Sequence, residues 1–378
     1  VSEEVHRVYL IPGMFGFGRL AGYDYFEHVE RLLAKRFQAA GVRYLLEIVP
    51  TPPTASIRRR AHRVADQVSR TAGDGDGPIH LVGHSTGGLD ARLIASPTVC
   101  LELDQPRLAW KSRLRSVVTI NTPHHGTPLA GFFTTVSGTR LLYALSLLTF
   151  TTLRFGGPPL TIFSSLIAAI GTVDEVVGVD IKLLDRTTNL LLRFVGDRGR
   201  DEVRDWLDGI RRDQGGIIQI TPEAMDIFNA ATENAKGVRY GSLASASPPP
   251  TPVRLVTRMR SPYQALSATI YTTLHSVTSR ANKVYPCPEA DEGAQKILRA
   301  GIGRTVDNSV ADGIVPTLSM LWGELLWAGR ADHLDVVGHF HDDVAGDHVD
   351  WLASGSHFDR TGFAAAMDAL GSFLLRTD

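Results

Sequence analysis

The pentapeptide Gly83-His84-Ser85-Thr86-Gly87 sets a serine between two glycines in the order G-x-S-x-G. Before it, Pro78-Ile79-His80-Leu81-Val82 is a short apolar run that reads as a buried strand. After it, residues 88–95 read as a helix. A serine on so sharp a strand-to-helix turn sits in strained backbone with its hydroxyl pushed outward, and side chains at the glycine positions would collide across the turn. The chemistry this suits is nucleophilic attack by the hydroxyl on a carbonyl carbon. With 36 glycines in 378 residues the bare pattern arises by chance on the order of 0.2 times. Its weight comes from the strand before it and the helix after it.

A serine hydroxyl is a poor nucleophile unless a histidine removes its proton and a carboxylate orients that histidine. In α/β-hydrolases the chain order is serine, then acid, then a late histidine. Two segments fit. Residues 308–316 place Asp312 in a turn followed by glycine, and residues 331–338 place His333 in a polar loop before an apolar turn. Five histidines crowd this end, His333, His339, His341, His348 and His357, and composition alone does not choose among them. The oxyanion of an acyl transfer needs two N–H donors. One is expected at Thr86, after the serine. The other is expected in the glycine-bearing loop Ile11-Pro12-Gly13-Met14-Phe15-Gly16-Phe17-Gly18.

The elements that must hold these residues alternate. Val8–Ile11 reads as a strand, Tyr25–Ala40 as a helix closed by Gly41, Val42–Val49 as a strand, Ile57–Thr71 as a helix and Ser116–Ile120 as a strand. This rhythm predicts a mostly parallel sheet flanked by helices. It breaks after Asn121. Two markedly apolar helical stretches, Leu141–Leu153 and Leu160–Ile170, are separated by Gly156-Gly157-Pro158-Pro159, and a charged helix follows over Arg198–Arg212. Core-type alternation resumes at Ile217–Ile220. Thr221 and Pro222 open a helix, Val238–Leu243 reads as a strand, and Ser245–Pro252 as a loop. Helices are expected over Pro262–Arg280 and Phe363–Leu375. The expectation is one α/β domain over residues 1–378, with a helical insertion at 128–215.

Charge is balanced, 39 basic against 40 acidic residues, which does not favour a nucleic-acid partner. Cys100 and Cys287 lie far apart without metal-ligand spacing; two unpaired thiols is the simpler reading, with a single bridge open. No secretory signal is visible in a chain that starts Val1-Ser2-Glu3-Glu4, which leans towards the cytoplasm, although a trimmed secreted protein would start the same way. No run approaches the roughly 20 apolar residues of a spanning helix.

These motifs together resemble the bacterial true lipases of the α/β-hydrolase superfamily, both the Pseudomonas/Burkholderia and the Bacillus/Geobacillus types. Residues 12–17, with Tyr23-Asp24-Tyr25-Phe26 just after, resemble the family's oxyanion segment and its aromatic stretch. Asn121-Thr122-Pro123-His124-His125-Gly126-Thr127 is similar to its Pro-His-x-Gly turn. Asp312-Gly313-Ile314-Val315 resembles the acid loop, and Asp332-His333-Leu334-Asp335 the histidine segment. The resemblance implies an α/β-hydrolase fold, a Ser85–His333–Asp312 triad, and main-chain oxyanion donors at Met14 and Thr86. It selects His333 over its four neighbours.

The sequence also departs from the family. Pro12 stands where these lipases usually have histidine. They often carry a structural Ca²⁺ near the catalytic histidine; Asp335 matches one ligand, but His339 and Phe340 stand where another oxygen ligand would be expected. No cofactor is therefore expected, with a structural calcium as the lesser reading. The Bacillus-type zinc site has no counterpart. His339-Phe340-His341-Asp342-Asp343 reads as a solvated polar loop in preference to a transition-metal site. His124 and His125 read as structural hydrogen-bonders, and His84 as packed or bonded locally.

Leu141–Leu153 is apolar almost all round and needs burial, lipid or a partner. It reads either as a cap packed on the sheet or as a lid that opens at a lipid interface. Both put greasy walls over Ser85. The expected activity is a lipase or lipase-like esterase acting on esters with apolar acyl chains. The alternatives are an acyltransferase or polyester depolymerase on the same machinery and, from another class, a non-catalytic lipid-binding module.

Overall fold

Strand β1 (Val5–Ile11) pairs in parallel with β2 (Arg43–Ile48) on one side and β3 (Ile79–His84) on the other. Beyond β3 come β4 (Leu114–Ile120), β5 (Arg239–Ala246) and β6 (Glu324–Arg330), giving a six-stranded parallel sheet in the order β2-β1-β3-β4-β5-β6. This is a computed structural model, and it describes residues 4–73, 75, 77–155, 161–162, 164–166, 181–251, 262–340 and 348–377. Strand β3 is buried at every position, as a central strand covered on both faces must be.

Helices α1 (Glu27–Ala39), α2 (Ile57–Thr71) and α3 (Thr86–Ala95) follow β1, β2 and β3. In α2 the apolar positions Ile57, Ala61, Val64, Ala65 and Val68 recur at helical spacing and are buried, in one core cluster with Leu89 and Ile94 of α3. Ser56 caps α2 by accepting the Arg59 N–H at 3.3 Å. The opposite face of the sheet is covered by α1, whose Val29, Leu33 and Phe37 share a core with Leu370 and Phe373 near the C-terminus.

The region 128–215 is helical where described: α4 (Pro128–Phe133), α5 (Val136–Phe155), α6 (Ile181–Phe194) and α7 (Asp197–Arg212). Helix α5 is buried throughout Leu141–Leu153. Its polar residues fit there because their hydroxyls bond back along the helix, Ser146 to the Leu142 carbonyl at 2.8 Å, Thr149 to Leu145 at 2.7 Å and Thr151 to Leu147 at 2.8 Å. The second apolar stretch, Leu160–Ile170, lies largely outside the described residues; within it 161, 162 and 164–166 are helical, with Ile162 and Leu166 buried.

Residues 217–219, where core-type alternation resumes, lie in a short helix, α8 (Gly215–Gln219), with Ile220 as its C-cap. Gly216 donates its N–H to the Thr54 carbonyl at 2.8 Å and Gln219 Oε1 accepts the Ile57 N–H at 2.7 Å, so this turn is tied to the entry of α2 rather than to the sheet. Helix α9 (Pro222–Ala231) has the expected Thr221 cap, which accepts the Ala224 N–H at 3.3 Å. Strand β5 runs three residues further than Leu243, so the expected loop at Ser245 begins later. Helices α10 (Pro262–Thr278), α11 (Glu292–Ile302) and α12 (Arg360–Leu374) complete the fold. Cys100 and Cys287 are free. Among the described residues no helix is long and apolar enough to cross a membrane.

Candidate active site

Ser85 sits at the junction of β3 and α3 with φ 53° and ψ −128°. A non-glycine residue in this region is strained and persists only where its surroundings enforce it. Here Ser85 N–H bonds the Ile120 carbonyl of β4 at 2.8 Å. A Cβ on Gly83 would lie 2.3 Å from the Gly87 backbone, and one on Gly87 would lie 2.2 Å from the Ile11 carbonyl oxygen. Both glycines of the motif are therefore demanded by backbone packing.

Asp312 lies in a turn closed by the Ala311–Pro316 bridge, with its N–H on the Val315 carbonyl at 3.1 Å. Its Oδ1 accepts the N–H groups of Ile314 at 2.8 Å and Val315 at 2.7 Å. Its Oδ2 faces His333 Nδ1 at 2.6 Å, and His333 Nε2 lies 2.9 Å from Ser85 Oγ. The three residues come from turns at the carboxyl ends of the sheet, where ligands bind in open α/β folds. Ser85 is 8% exposed and His333 6%.

The loop after β1 packs against this serine. A Cβ on Gly13 would fall 2.7 Å from Ser85 Cβ, so glycine is required for the approach. Met14 follows, with its carbonyl held by the Thr54 N–H at 2.9 Å. Thr86 is the first residue of α3, where the N–H groups have no partner within the helix. The loop is anchored from below by Arg60, a fully buried residue of α2. It donates from Nη2 to the Pro12 carbonyl at 2.7 Å, from Nη1 to Pro52 at 3.2 Å and from Nε to Asp90 Oδ2 at 2.9 Å. Burial raises the Asp90 carboxyl to about 6, against the lowering effect of Arg60.

The other histidines divide as follows. His84 is engaged at both ring nitrogens, by Tyr25 and by the His333 main chain. His124 is fully buried, with Nε2 3.0 Å from Thr119 Oγ1 and Nδ1 3.1 Å from Arg92 Nη1; burial holds it neutral, as a structural role requires. His339 Nδ1 meets the Tyr23 hydroxyl. It is buried, against the expectation of a solvated loop, because Tyr23 and Tyr25 pack against its ring. His341, Asp342 and Asp343 lie outside the described residues.

Asp335 has two carboxylate neighbours, Asp332 three residues before it and Asp350, brought in from further along the chain. One oxygen from each of Asp332, Asp335 and Asp350 lies within 4.8 Å of the others. Asp332 Oδ2 and Asp335 Oδ1 are buried with no hydrogen-bond partner, His348 Nε2 standing 3.4 Å from the latter. Burial first, then the neighbouring acids, pushes both carboxyls up. These hard oxygen donors fit a cation such as Ca²⁺. Asp332 and Asp350, rather than anything at 339–340, are the oxygen donors that stand beside Asp335.

Above Ser85 the cavity is almost wholly apolar. Phe133 and Leu129 of α4, Leu142 and Leu145 of α5, and Ile314 and Leu334 form its walls. Thr149 and Trp351 add a polar spot, with Trp351 Nε1 donating to Thr149 Oγ1 at 2.9 Å. Ser85, His333 and Asp312, the residues that the sequence singles out, lie within hydrogen-bond reach of one another, beside the glycine loop. Sequence reasoning missed Arg60 and Asp90, which read as ordinary helix residues, and the Tyr25–His84 link.

No protein-family profile matches the chain. A segment of 129 residues is 32% identical to a triacylglycerol lipase of Vibrio cholerae, covering 34% of this chain and 36% of that protein. The match therefore spans little more than a third of the relative's length. Lipase 1 from Pelosinus fermentans superposes with a TM-score of 0.51 at 15% identity, over 99% of each chain. EstA from Clostridium botulinum gives 0.49 at 17% identity, over 95% of this chain and 87% of that one. The parallel sheet, the serine turn after its third strand and the Pelosinus superposition together define the α/β-hydrolase fold.

Proposed function

We propose that this protein is a serine carboxylester hydrolase, a lipase or lipase-like esterase, acting on esters with apolar acyl chains. The observation that carries the reading is the unbroken hydrogen-bonded line Asp312–His333–Ser85 opening into an apolar cavity. Ser85 Oγ attacks the ester carbonyl while His333 Nε2 takes its proton. Asp312 orients the imidazole and stabilises the imidazolium. The main-chain N–H groups of Met14 and Thr86 receive the oxyanion. His333 then protonates the leaving alcohol, and water, deprotonated by the same histidine, releases the acid from the acyl-Ser85 ester. The partial match to a triacylglycerol lipase supports this reading.

Residues of α4 and α5 line the cavity above Ser85, and in this reading these apolar helices are a cover that shifts to admit substrate at a lipid surface. In the same proposal, Asp332, Asp335 and Asp350 hold a calcium ion. Bound there, it supplies charge neutralisation to two buried carboxylates and ties the loop bearing His333 to the segment at Asp350.

A p-nitrophenyl ester series from acetate to palmitate, run with wild type and Ser85→Ala, with and without a lipid interface, tests the reading. Expected is Ser85-dependent hydrolysis that favours the longer chains. Turnover retained in Ser85→Ala would end the esterase reading, and strict preference for acetate would end the apolar-acyl one.

A further inference from the structure

His84 fills the variable position before the nucleophile, and its ring is fully buried. Nε2 lies 2.9 Å from the main-chain oxygen of His333, and Nδ1 lies 2.7 Å from the hydroxyl of Tyr25. A carbonyl oxygen carries no proton, so Nε2 must be the donor. In a neutral imidazole that leaves Nδ1 with its lone pair, which accepts the Tyr25 O–H. Burial keeps the imidazole neutral and keeps the Tyr25 phenol protonated, so the directions of both bonds are fixed.

The consequence is a closed loop of bonds. The chain links His84 to Ser85; Ser85 Oγ meets His333 Nε2; the His333 carbonyl returns to His84. Asp312 fixes the rotation of the His333 ring through Nδ1. The backbone from which that ring hangs is held by His84 at the His333 carbonyl and, just after it, by Asp332 Oδ1, which accepts the N–H groups of Leu334 and Asp335. With both nitrogens engaged, His84 has no polar atom left to offer a substrate.

We propose that His84, locked as the Nε2–H tautomer by Tyr25, is a positioning residue that sets the His333 main chain and hence the reach of His333 Nε2 to Ser85. This rests on the esterase reading above. A misplacement of about an ångström between reacting groups costs up to about a hundredfold in rate, whereas His84 is one lining residue among many apolar ones that set substrate affinity. A defect in His84 should therefore fall on kcat and spare KM.

The test compares His84→Met, which fills the space without a donor, with His84→Gln, whose side-chain amide keeps an N–H near the position of Nε2. Both are assayed on a soluble p-nitrophenyl ester, with thermal unfolding followed in parallel. His84→Met should lower kcat about tenfold with KM within about twofold, and His84→Gln should recover most of the loss. Tyr25→Phe should fall between them, since it frees the other tautomer; because Tyr25 also bonds the Gly13 main chain, His84→Asn, too short to reach the His333 carbonyl, carries the test if His84→Met does not fold and should lose as much. Unchanged kcat in His84→Met and Tyr25→Phe, or equal losses in His84→Met and His84→Gln, would overturn the proposal and leave His84 a packing residue. A wild type that neither hydrolyses the ester nor reacts at Ser85 with a fluorophosphonate would instead overturn the esterase reading, and this one with it.

Discussion

Asp312 grips His333 with one oxygen at 2.6 Å while its other oxygen is held by two main-chain N–H groups. The carboxylate cannot rotate away, and it dictates that His333 carries its proton on Nδ1. Asp312→Asn presents an amide that can reverse this tautomer and leave Nε2 unable to accept from Ser85. A fall in kcat of about 10⁴-fold is expected, with the fold intact by circular dichroism. A loss below tenfold would mean that another group orients His333.

Arg60 joins two jobs that can be separated. Arg60→Met strands Asp90 in the core, a loss on the order of 3–5 kcal/mol, read as a lower midpoint in urea. The double variant Arg60→Met/Asp90→Leu removes both charges and should recover most of that stability. Its activity should stay low, because the Pro12 carbonyl of the loop after β1, the proposed oxyanion loop, has lost its donor. Full activity in the double variant would show that the loop holds its shape without Arg60.

Calcium should raise the melting temperature. A ligand at a hundredfold its Kd adds about 2.7 kcal/mol to a state that alone binds it. Asp335→Asn should abolish the shift without removing a triad residue. Equal melting temperatures in EDTA and in millimolar calcium would refute a cation at Asp332, Asp335 and Asp350.

His80 makes stability depend on pH. Burial, then the neighbouring His6, Arg239 and Arg115, lowers it to about 3. Its folded value lies below the unfolded one near 6.5, so the unfolded chain binds the extra proton between them. The stability is present above about pH 6.5 and declines towards pH 3, at about 1.4 kcal/mol per unit. His80→Gln should flatten the slope by that amount between about pH 6.5 and 5, with Asp90 and the other buried groups common to both proteins. Parallel unfolding curves for the two proteins would refute it.

The serine turn was legible because its requirements are local. Gly83 and Gly87 are needed within two residues of Ser85, and a strand and a helix must flank it. Asp312 and His333 were legible through chain order and resemblance. Strand β6, between them, was not; Glu324–Arg330 alternates poorly, being an edge strand with exposed Glu324 and Arg330. Helix α11 went unseen although Asp291 caps it and Gly303 ends it in the left-handed region. The roles of Arg60 and Asp90 depend on each other across thirty residues, and that of Asp350 on a loop that folds back to Asp332 and Asp335. No periodicity could announce them.

The central claim is that Ser85 forms an acyl-enzyme. The direct measurement is fluorophosphonate labelling, mapped by mass spectrometry, beside kcat/KM on one apolar ester for wild type and Ser85→Ala. Predicted is a single adduct on Ser85 in wild type, none in the variant, and a loss of at least about 10³-fold in kcat/KM. A label on another residue, or hydrolysis that survives Ser85→Ala, would contradict it.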